Sequence, residues 1–227
     1  MGLQTIIDNC TGITINRRKM VGIQYTLNQI PRISETPTTN PWRFILDMPN
    51  NLRYNDARSV MESLDNIDRV TPEIITFSNN PSMNWIFRYQ GSASQSSLRN
   101  ITVSSFVGNQ LTLTNLPPIG ANSILFAPND IIQIGNYPYP FTSVNTVLRG
   151  TGGSVTVTTH RPNILTNDVA GSNITVGPSV QFRVFCNNMP TYKLFPGGQQ
   201  YSNGVLVNNA YLEWSDSFSL YEYVGLA

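Results

Sequence analysis

Closely spaced short strand patterns with turn residues between them constrain the fold of this chain most. Five of them follow one another within 101–162, at 101–106, 110–113, 130–134, 139–148 and 154–160. Short strands at such regular spacing, separated by turn residues, are typical of all-β domains. The spacing favours a small β-barrel or sandwich. The glycine-rich run 150–153 predicts a hairpin turn between the last two strands, because glycine tolerates positive φ.

Strand patterns also flank this region on both sides. The segment 42–48 predicts a half-buried strand, because its alternate residues Trp42, Phe44, Leu46 and Met48 fall on one face. Two further apolar segments, 74–77 and 85–89, are bounded by turn residues and predict a strand pair with a loop between them. The remaining strand patterns lie in 13–33, 180–184, 192–194, 209–216 and 218–224.

A single helix is predicted over residues 55–69. Asn55 is suited to the N-cap position, apolar residues recur at helical spacing after it, and Pro72 ends the pattern. The opposite face carries Arg58, Glu62, Asp65 and Arg69. A helix of about four turns is marginal alone in water, so its apolar stripe is expected to dock on a sheet.

Polar segments divide the chain into an outer and a middle part. The run 91–97 has the composition of a flexible linker, and 167–177 is similarly polar. The outer parts share aromatic-rich strands and the helix, whereas the middle part is rich in Gly, Thr and Val. We therefore predict a mostly-β protein in which 1–91 and 179–227 form one lobe and 92–178 form an inserted small β-barrel domain.

The composition restricts the partners of the chain. Charged residues make up 12% of the 227 residues, and 14 basic side chains face 13 acidic ones. A net charge of +1 provides no field for a phosphate backbone or an anionic membrane, so strong nucleic-acid binding is not expected. Neither a signal peptide nor a stretch of roughly 20 apolar residues is present. The expected place of synthesis and folding is a cytoplasm.

Reactive side chains are scarce. His160 is the single histidine, it precedes Arg161-Pro162, and we expect it to be structural or solvent-facing. Cys10 and Cys186 are expected to be free, packed thiols. Two cysteines and one histidine cannot complete a zinc site, and 65–68 and 129–130 lack calcium-loop spacing. We therefore expect no catalysis, no cofactor and no metal.

Two further sequence features have a functional and a structural interpretation. Glu213 and Asp216 could serve as the carboxylate pair of a glycosidase, but their sequence spacing does not fix their separation in space, and solvated strand residues are the preferred interpretation. The run 150–154 is glycine-rich, but a strand rather than a helix follows it, so a hairpin tip is preferred to a phosphate cradle.

Residues suited to protein interfaces are plentiful. Tyr137 and Tyr139 lie in an aromatic, proline-rich loop, and such rings are favoured at buried contacts between proteins. Plugging the ends of a small barrel is the alternative role for them. The candidate inter-subunit contacts are Arg58, Glu62, Asp65, Arg69, Tyr137 and Tyr139.

Several segments together resemble tail and baseplate structural proteins of tailed bacteriophages. They are 13–18 (ITINRR), 41–44 (PWRF), 48–49 (MP), 54–58 (YNDAR) and 64–69 (LDNIDR), with 127–135 (APNDIIQIG) and 154–162 (SVTVTTHRP) in the middle part. The last two resemble small β-barrels of those proteins, which often carry Gly-Asp where this chain has Asn129-Asp130.

Within that group the distal tail proteins are the nearest match. The resemblance implies a β-sandwich, tail-tube-like lobe with one helix and an inserted barrel similar to the oligonucleotide-binding fold. It implies a virion protein that forms a ring, commonly sixfold, and joins the tail tube to hub, fibre or other baseplate proteins. Uncovered strand edges that pair with neighbouring subunits fit this function.

Two other functions stay open. A receptor- or carbohydrate-binding module of the tail tip would use exposed aromatics such as Tyr137 and Tyr139. A polysaccharide hydrolase would use Glu213 and Asp216, although no other residue completes a convincing acid-base pair.

Overall fold

A computed structural model describes residues 2–17, 21–25, 31–35, 41–49, 52–53, 58, 61–62, 71–165, 168–202 and 205–224. The chain is mostly β, as the sequence predicts. Two α-helices lie complete in the described ranges, α1 (Gly2–Asn9) and α2 (Gln95–Leu98). A 3-10 helix spans Asn84–Phe87.

Eighteen strands lie within the described ranges, and nearly all of them pair antiparallel. They are β1 (Gly12–Asn16), β2 (Val21–Tyr25), β3 (Pro31–Glu35), β4 (Arg43–Asp47), β5 (Leu52–Arg53), β6 (Glu73–Thr76), β7 (Thr102–Val107), β8 (Gln110–Thr114), β9 (Ile124–Phe126), β10 (Ile131–Ile134), β11 (Phe141–Thr142), β12 (Val147–Leu148), β13 (Ser154–Thr158), β14 (Ile174–Val176), β15 (Gln181–Asn188), β16 (Tyr192–Ser202), β17 (Val205–Trp214) and β18 (Phe218–Glu222).

The chain separates into two compact units. The first comprises Met1–Asn16, Trp42–Ile75 and Arg183–Tyr223, and the second comprises Arg17–Pro41, Thr76–Phe182 and Val224–Ala227. The predicted domain boundaries, with 92–178 inserted into a lobe formed by 1–91 and 179–227, stay a prediction.

The first unit contains most of a five-stranded sheet with the order β1-β4-β18-β15-β6. Trp42, Phe44, Leu46 and Met48 are all buried, as their alternation predicts. Helix α1 buries Leu3, Ile6 and Ile7, which recur at helical spacing. The Leu3 amide donates to Glu73 Oε2 at 3.2 Å, and this contact fixes the start of α1 to β6.

The second unit is organised around one apolar cluster. Its sheets have the orders β13-β8-β7, β11-β10-β14 and β12-β9. Alternate residues of the strands point into the cluster, which includes Leu111, Leu113, Ile132, Ile134 and Val157. Burial of this cluster explains why short Thr- and Val-rich strands fold here. Closure of these strands into a barrel of the oligonucleotide-binding type stays a prediction.

The predicted strand at 85–89 is wrong, because Asn84–Phe87 form a 3-10 helix. Asn80 redirects the chain: its side-chain Oδ1 accepts from the Ser82 amide at 2.9 Å, and its carbonyl accepts from the Asn84 amide at 2.9 Å. Asparagine initiates such turns through local hydrogen bonds and proline through its fixed φ, and a strand pattern reveals neither.

The predicted linker at 91–97 is also wrong as a flexible segment. Ser94 caps α2 by accepting from the Ser97 amide, and Leu98 at the end of α2 is buried. The Ser92 amide donates to the Ile124 carbonyl at 2.8 Å. Serine clusters have linker composition, but serine is equally a strong helix N-cap.

The glycine turn at 150–153 does not join a hairpin. Strand β12 pairs with β9, and β13 pairs with β8. Gly150 has φ +64°, as the glycine argument predicts, and the Arg149 guanidinium donates to the carbonyls of Gly150 and Gly152. The composition therefore identifies the turn but not the partners of its flanking strands.

Candidate functional site

The hairpin of β16 and β17 presents a long edge strand in the described part of the chain. Its arms have 11 and 10 residues and are the longest of the described strands. β17 pairs with β16 on one side and with β5 on the other, whereas β16 has β17 as its one strand neighbour in the described ranges. A register shift between Pro196 and Gln199 interrupts β16, and on either side of it the outer edge offers backbone groups suited to pairing with another chain.

Exposed apolar side chains accompany this edge. Leu194 and Phe195 are 47% and 45% exposed. Successive strand residues point to opposite faces, so an apolar side chain is exposed on each face of β16. Large exposed apolar side chains at an unpaired strand edge promote aggregation of an isolated subunit. In an assembly the same side chains are buried against a neighbouring subunit.

The base of the hairpin is fixed by aromatic packing. Tyr192 meets Trp214 edge-to-face at 5.7 Å between ring centroids, and Trp214 meets Phe218 in the same way at 5.3 Å. The Ser215 amide donates to the Thr191 carbonyl, and the Ser215 hydroxyl accepts from the Thr191 amide. These contacts therefore hold the start of β16 in place.

The predicted helix face is only partly described. Arg58, Met61 and Glu62 are helical, and Arg58 Nε lies 2.7 Å from Glu62 Oε1. Both side chains are more than 60% exposed, so this pair contributes about 0.3 to 0.5 kcal/mol at most. Asp65 and Arg69 lie outside the described residues, as does most of the predicted helix.

Tyr137 and Tyr139 are half-buried rather than fully exposed. Tyr137 packs against the apolar cluster of the second unit. The Tyr137 amide donates to the Ile134 carbonyl, and the Tyr139 amide donates to the Tyr137 carbonyl. These two hydrogen bonds fold the loop into a tight turn. The packing of Tyr137 fits the structural interpretation of these rings, and their role as contacts stays a prediction.

Clusters of metal-ligating side chains are missing from the part of the chain that the structure describes. Within the described ranges, no three His, Cys, Asp or Glu side chains lie together as a metal site would require. Glu213 and Asp216 are exposed, and Glu213 lies opposite Lys193 in the β16–β17 register. Cys10 and Cys186 are buried thiols that do not form a disulfide, as predicted.

His160 is held by a backbone hydrogen bond. Its Nδ1 accepts from the Thr142 amide at 3.0 Å, so the neutral imidazole carries its proton on Nε2. Burial lowers the pKa of His160 to about 3, and the nearby Arg161 and Arg17 guanidinium groups act in the same direction. A histidine with this pKa stays neutral at pH 7 and is unsuited to general acid catalysis.

Asp130 is a buried carboxylate that the sequence pattern suggests only as a metal ligand. Its Oδ1 accepts from the Gln90 amide at 2.9 Å, and its Oδ2 accepts from the Ala127 amide at 2.8 Å. It is 2% exposed, and burial raises its pKa. Asp130 therefore ties the segment before α2 to the loop before β10.

We expect Asp130→Ala to destabilise the second unit by about 2 kcal/mol, because the buried Ala127 amide and the part-buried Gln90 contact lose their acceptor. Urea unfolding followed by circular dichroism measures this loss. Asp130→Asn is the matched control: it keeps one acceptor oxygen and should lose less. Equal stability of Asp130→Ala and the wild type would contradict this role.

No protein-family model matches this chain, and no curated protein sequence is significantly similar to it. In the described part of the chain, no helix is long and apolar enough to cross a membrane. The function is therefore inferred from the residues and their geometry.

Proposed function

We propose that this chain is a structural subunit of a bacteriophage tail or baseplate, in which it forms a ring that joins the tail tube to hub or fibre proteins. The observation that carries this proposal is the outer edge of β16, which pairs with no strand among the described residues, together with Leu194 and Phe195 exposed on its two faces. Such an edge favours strand addition from a neighbouring subunit.

Two other features support a role in assembly. The surface has few charges, so copies of the chain do not repel one another strongly. The mostly-β architecture fits the tail-protein resemblance. A heterologous contact repeated about an axis closes into a ring, and the resemblance implies six copies. In this proposal the chain works in the virion, without catalysis or a cofactor.

We expect the purified chain to form a multi-subunit ring. Size-exclusion chromatography with light scattering measures its mass, and negative-stain electron microscopy shows its shape. The double variant Leu194→Lys with Phe195→Lys should shift the mass towards the monomer, because it places two charges where apolar contacts are lost.

Val107→Lys is the matched control for this experiment. Val107 is 75% exposed and lies in the second unit, away from the hairpin in sequence. It should leave the assembly unchanged, and circular dichroism should be the same for all three proteins. A compact monomer at high concentration, with no rings in the images, contradicts the proposal.

A further inference from the structure

The five-stranded sheet of the first unit carries exposed apolar side chains on the face opposite its core. Phe44, Leu220 and Val184 are buried on the core side. Residues that alternate with them point to the other side. Two of these, Ile45 and Tyr223, are 41% and 40% exposed. We call this side of the sheet the outer face, and its residues of interest are Arg43, Ile45, Arg183, Phe185, Tyr221 and Tyr223.

Arginine and aromatic side chains form a continuous row on the outer face. Tyr221 lies opposite Arg43 of β4 and opposite Phe185 of β15 in the strand register. The Arg43 guanidinium lies over the Tyr221 ring, 5.0 Å from its centroid, and the Phe185 and Tyr221 centroids are 6.0 Å apart. Arg183 lies over Tyr223 in the same way, at 5.2 Å. Each guanidinium group is therefore supported by an aromatic ring.

Stacking fixes the position of these arginines and leaves their charge in place. A guanidinium that lies over a ring directs its N–H groups sideways, where they can donate to a carboxylate. Arginine, tyrosine and phenylalanine are also enriched at buried contacts between proteins. The outer face therefore combines two positioned cations with an apolar surface.

An acidic surface lies at the root of the β16–β17 hairpin, where the chain passes from β17 to β18. Glu213 and Asp216 are exposed there, and Lys193 lies opposite Glu213 in the strand register. The Ser217 hydroxyl donates to Asp47 Oδ1 at 2.6 Å, which adds a further carboxylate. The carboxylates outnumber the ammonium group, so the potential at the root is negative. We call Glu213 and Asp216 the acidic root.

The acidic root and the arginines lie at opposite ends of the sheet. Asp47 and Arg43 are the two ends of β4, which has five residues, so about 13 Å separates them along the strand. An ion pair needs its nitrogen and oxygen within about 4 Å. Arg43 is held over Tyr221 rather than extended towards the root. The carboxylates of the root are therefore placed to meet the arginines of another subunit and not those of their own.

We propose that the outer face binds the acidic root of a neighbouring copy of this chain. This inference rests on the proposed function, because a ring joins two different surfaces of identical subunits. Phe195 lies two residues from Lys193, so it shares one face of the hairpin with Glu213. That face pairs an apolar ring with a carboxylate, as the outer face pairs apolar side chains with arginines. One hairpin thus supplies the strand edge, the apolar ring and the charge of the contact.

Charge reversal tests this contact. The face variant carries Arg43→Glu and Arg183→Glu, and the root variant carries Glu213→Arg and Asp216→Arg. Each variant sets like charges against each other across the contact. Each should therefore raise the concentration at which half of the subunits are assembled by about tenfold or more. Size-exclusion chromatography with light scattering over a dilution series measures this shift.

An equimolar mixture of the two variants is the deciding measurement. The new glutamates of the face variant then meet the new arginines of the root variant, and the native charges of the two chains meet each other. Assemblies of alternating copies should form at a concentration within about threefold of the wild type. A single chain with all four substitutions should assemble equally well. Recovery requires folded subunits, so it also shows that neither variant has lost its fold.

Arg88→Glu with Arg99→Glu is the matched control. Both arginines are exposed and belong to the second unit. This double variant changes the net charge by the same amount as the face variant, and it should assemble as the wild type does. It separates a local contact from an effect of overall charge.

Three results overturn this inference. The first is a wild type that forms rings together with a face variant that assembles equally well; another partner or solvent then meets the outer face, and the proposed function stands. The second is dissociation of both variants without recovery in the mixture, whether or not the chain with all four substitutions assembles. The third is a wild type that stays a monomer, which rejects the proposed function and this contact together.

Discussion

Gly91→Ala is expected to destabilise the second unit by about 3 kcal/mol, since its methyl group has no room. A Cβ at this position would lie 2.6 Å from the Leu125 carbonyl oxygen and would also overlap the Tyr89 hydroxyl. The first of these atoms belongs to the backbone and cannot move without breaking the contacts of β9. Urea unfolding followed by far-ultraviolet circular dichroism measures the loss.

The neighbourhood of Gly91 explains why relaxation is costly there. The Tyr89 hydroxyl donates to the same Leu125 carbonyl at 2.6 Å, and the Tyr89 ring meets Phe126 edge-to-face. On the other side of Gly91, the Ser92 amide donates to the Ile124 carbonyl. The chain is thus fixed on both sides of the glycine.

Gly153→Ala is the matched control. No atom lies within 4 Å of the point that a Cβ of residue 153 would occupy, and the φ of Gly153 is not in the left-handed region. This variant should be as stable as the wild type or slightly more stable, because alanine restricts the unfolded chain. If both variants unfold at the same urea concentration, close packing at Gly91 is disproved.

The strands that the sequence predicts are those that bury one face. Trp42, Phe44, Leu46 and Met48 alternate in the sequence and are buried together on one face. This signal is local, because the period of a strand is a property of neighbouring residues. The mostly-β class follows from many such segments, and the structure confirms it.

Helix α1 is an element whose short apolar pattern does not predict a helix. Leu3, Ile6 and Ile7 recur at i, i+3 and i+4, but eight residues hold too few turns for this period to stand out. The helix depends instead on burial and on the contact of the Leu3 amide with Glu73, which lies 70 residues away in the sequence. A contact at that distance is not visible in a local pattern.

Strand pairing is the second quantity that the sequence does not determine. The turn at 150–153 is recognisable from its glycines, but β12 and β13 each pair with another strand. Pairing depends on tertiary packing, and a turn signal carries no information about it. For the same reason the sequence predicts open strand edges only in general terms, and the strand order of the described residues is what places β16 at the edge of its sheet.

The candidate residues also differ in whether a local sequence pattern identifies them. Composition points to aromatic rings, and it singles out Tyr137 and Tyr139 because they share one loop. The sheet of the first unit instead brings together Arg43, Tyr221 and Phe185, which lie far apart in the sequence. The signal that could have found them is the alternation of buried residues in their strands, since the residues between the buried ones point to the other face.

Acid should destabilise the folded chain through His160. Its folded pKa is about 3 and its unfolded pKa is about 6.5, so between these values the unfolded chain binds the proton that the folded chain excludes. Stability from this group is complete above pH 6.5 and is lost as the pH falls towards 3. The loss between pH 7 and pH 4 is roughly 3 kcal/mol.

The structural cause is the hydrogen bond from the Thr142 amide to His160 Nδ1. Protonation of Nδ1 would place its N–H against the N–H of Thr142, so that two donors would face each other. The positive ring would also lie near the guanidinium groups of Arg161 and Arg17. Because the chain has one histidine, nuclear magnetic resonance of its imidazole C–H signals reports this group alone. The folded midpoint should lie near pH 3.

The matched variant is His160→Gln, which offers an amide oxygen to the Thr142 amide and carries no titrating proton. Its free energy of unfolding should change less between pH 7 and pH 4 than that of the wild type, by roughly 3 kcal/mol. Titration of the carboxylates is common to both proteins and cancels in this difference. Two results would contradict this role of His160: a midpoint of the folded titration near pH 6.5, or equal acid sensitivity of the two proteins. Either would mean that the imidazole is solvated and that the Thr142 contact does not hold it neutral.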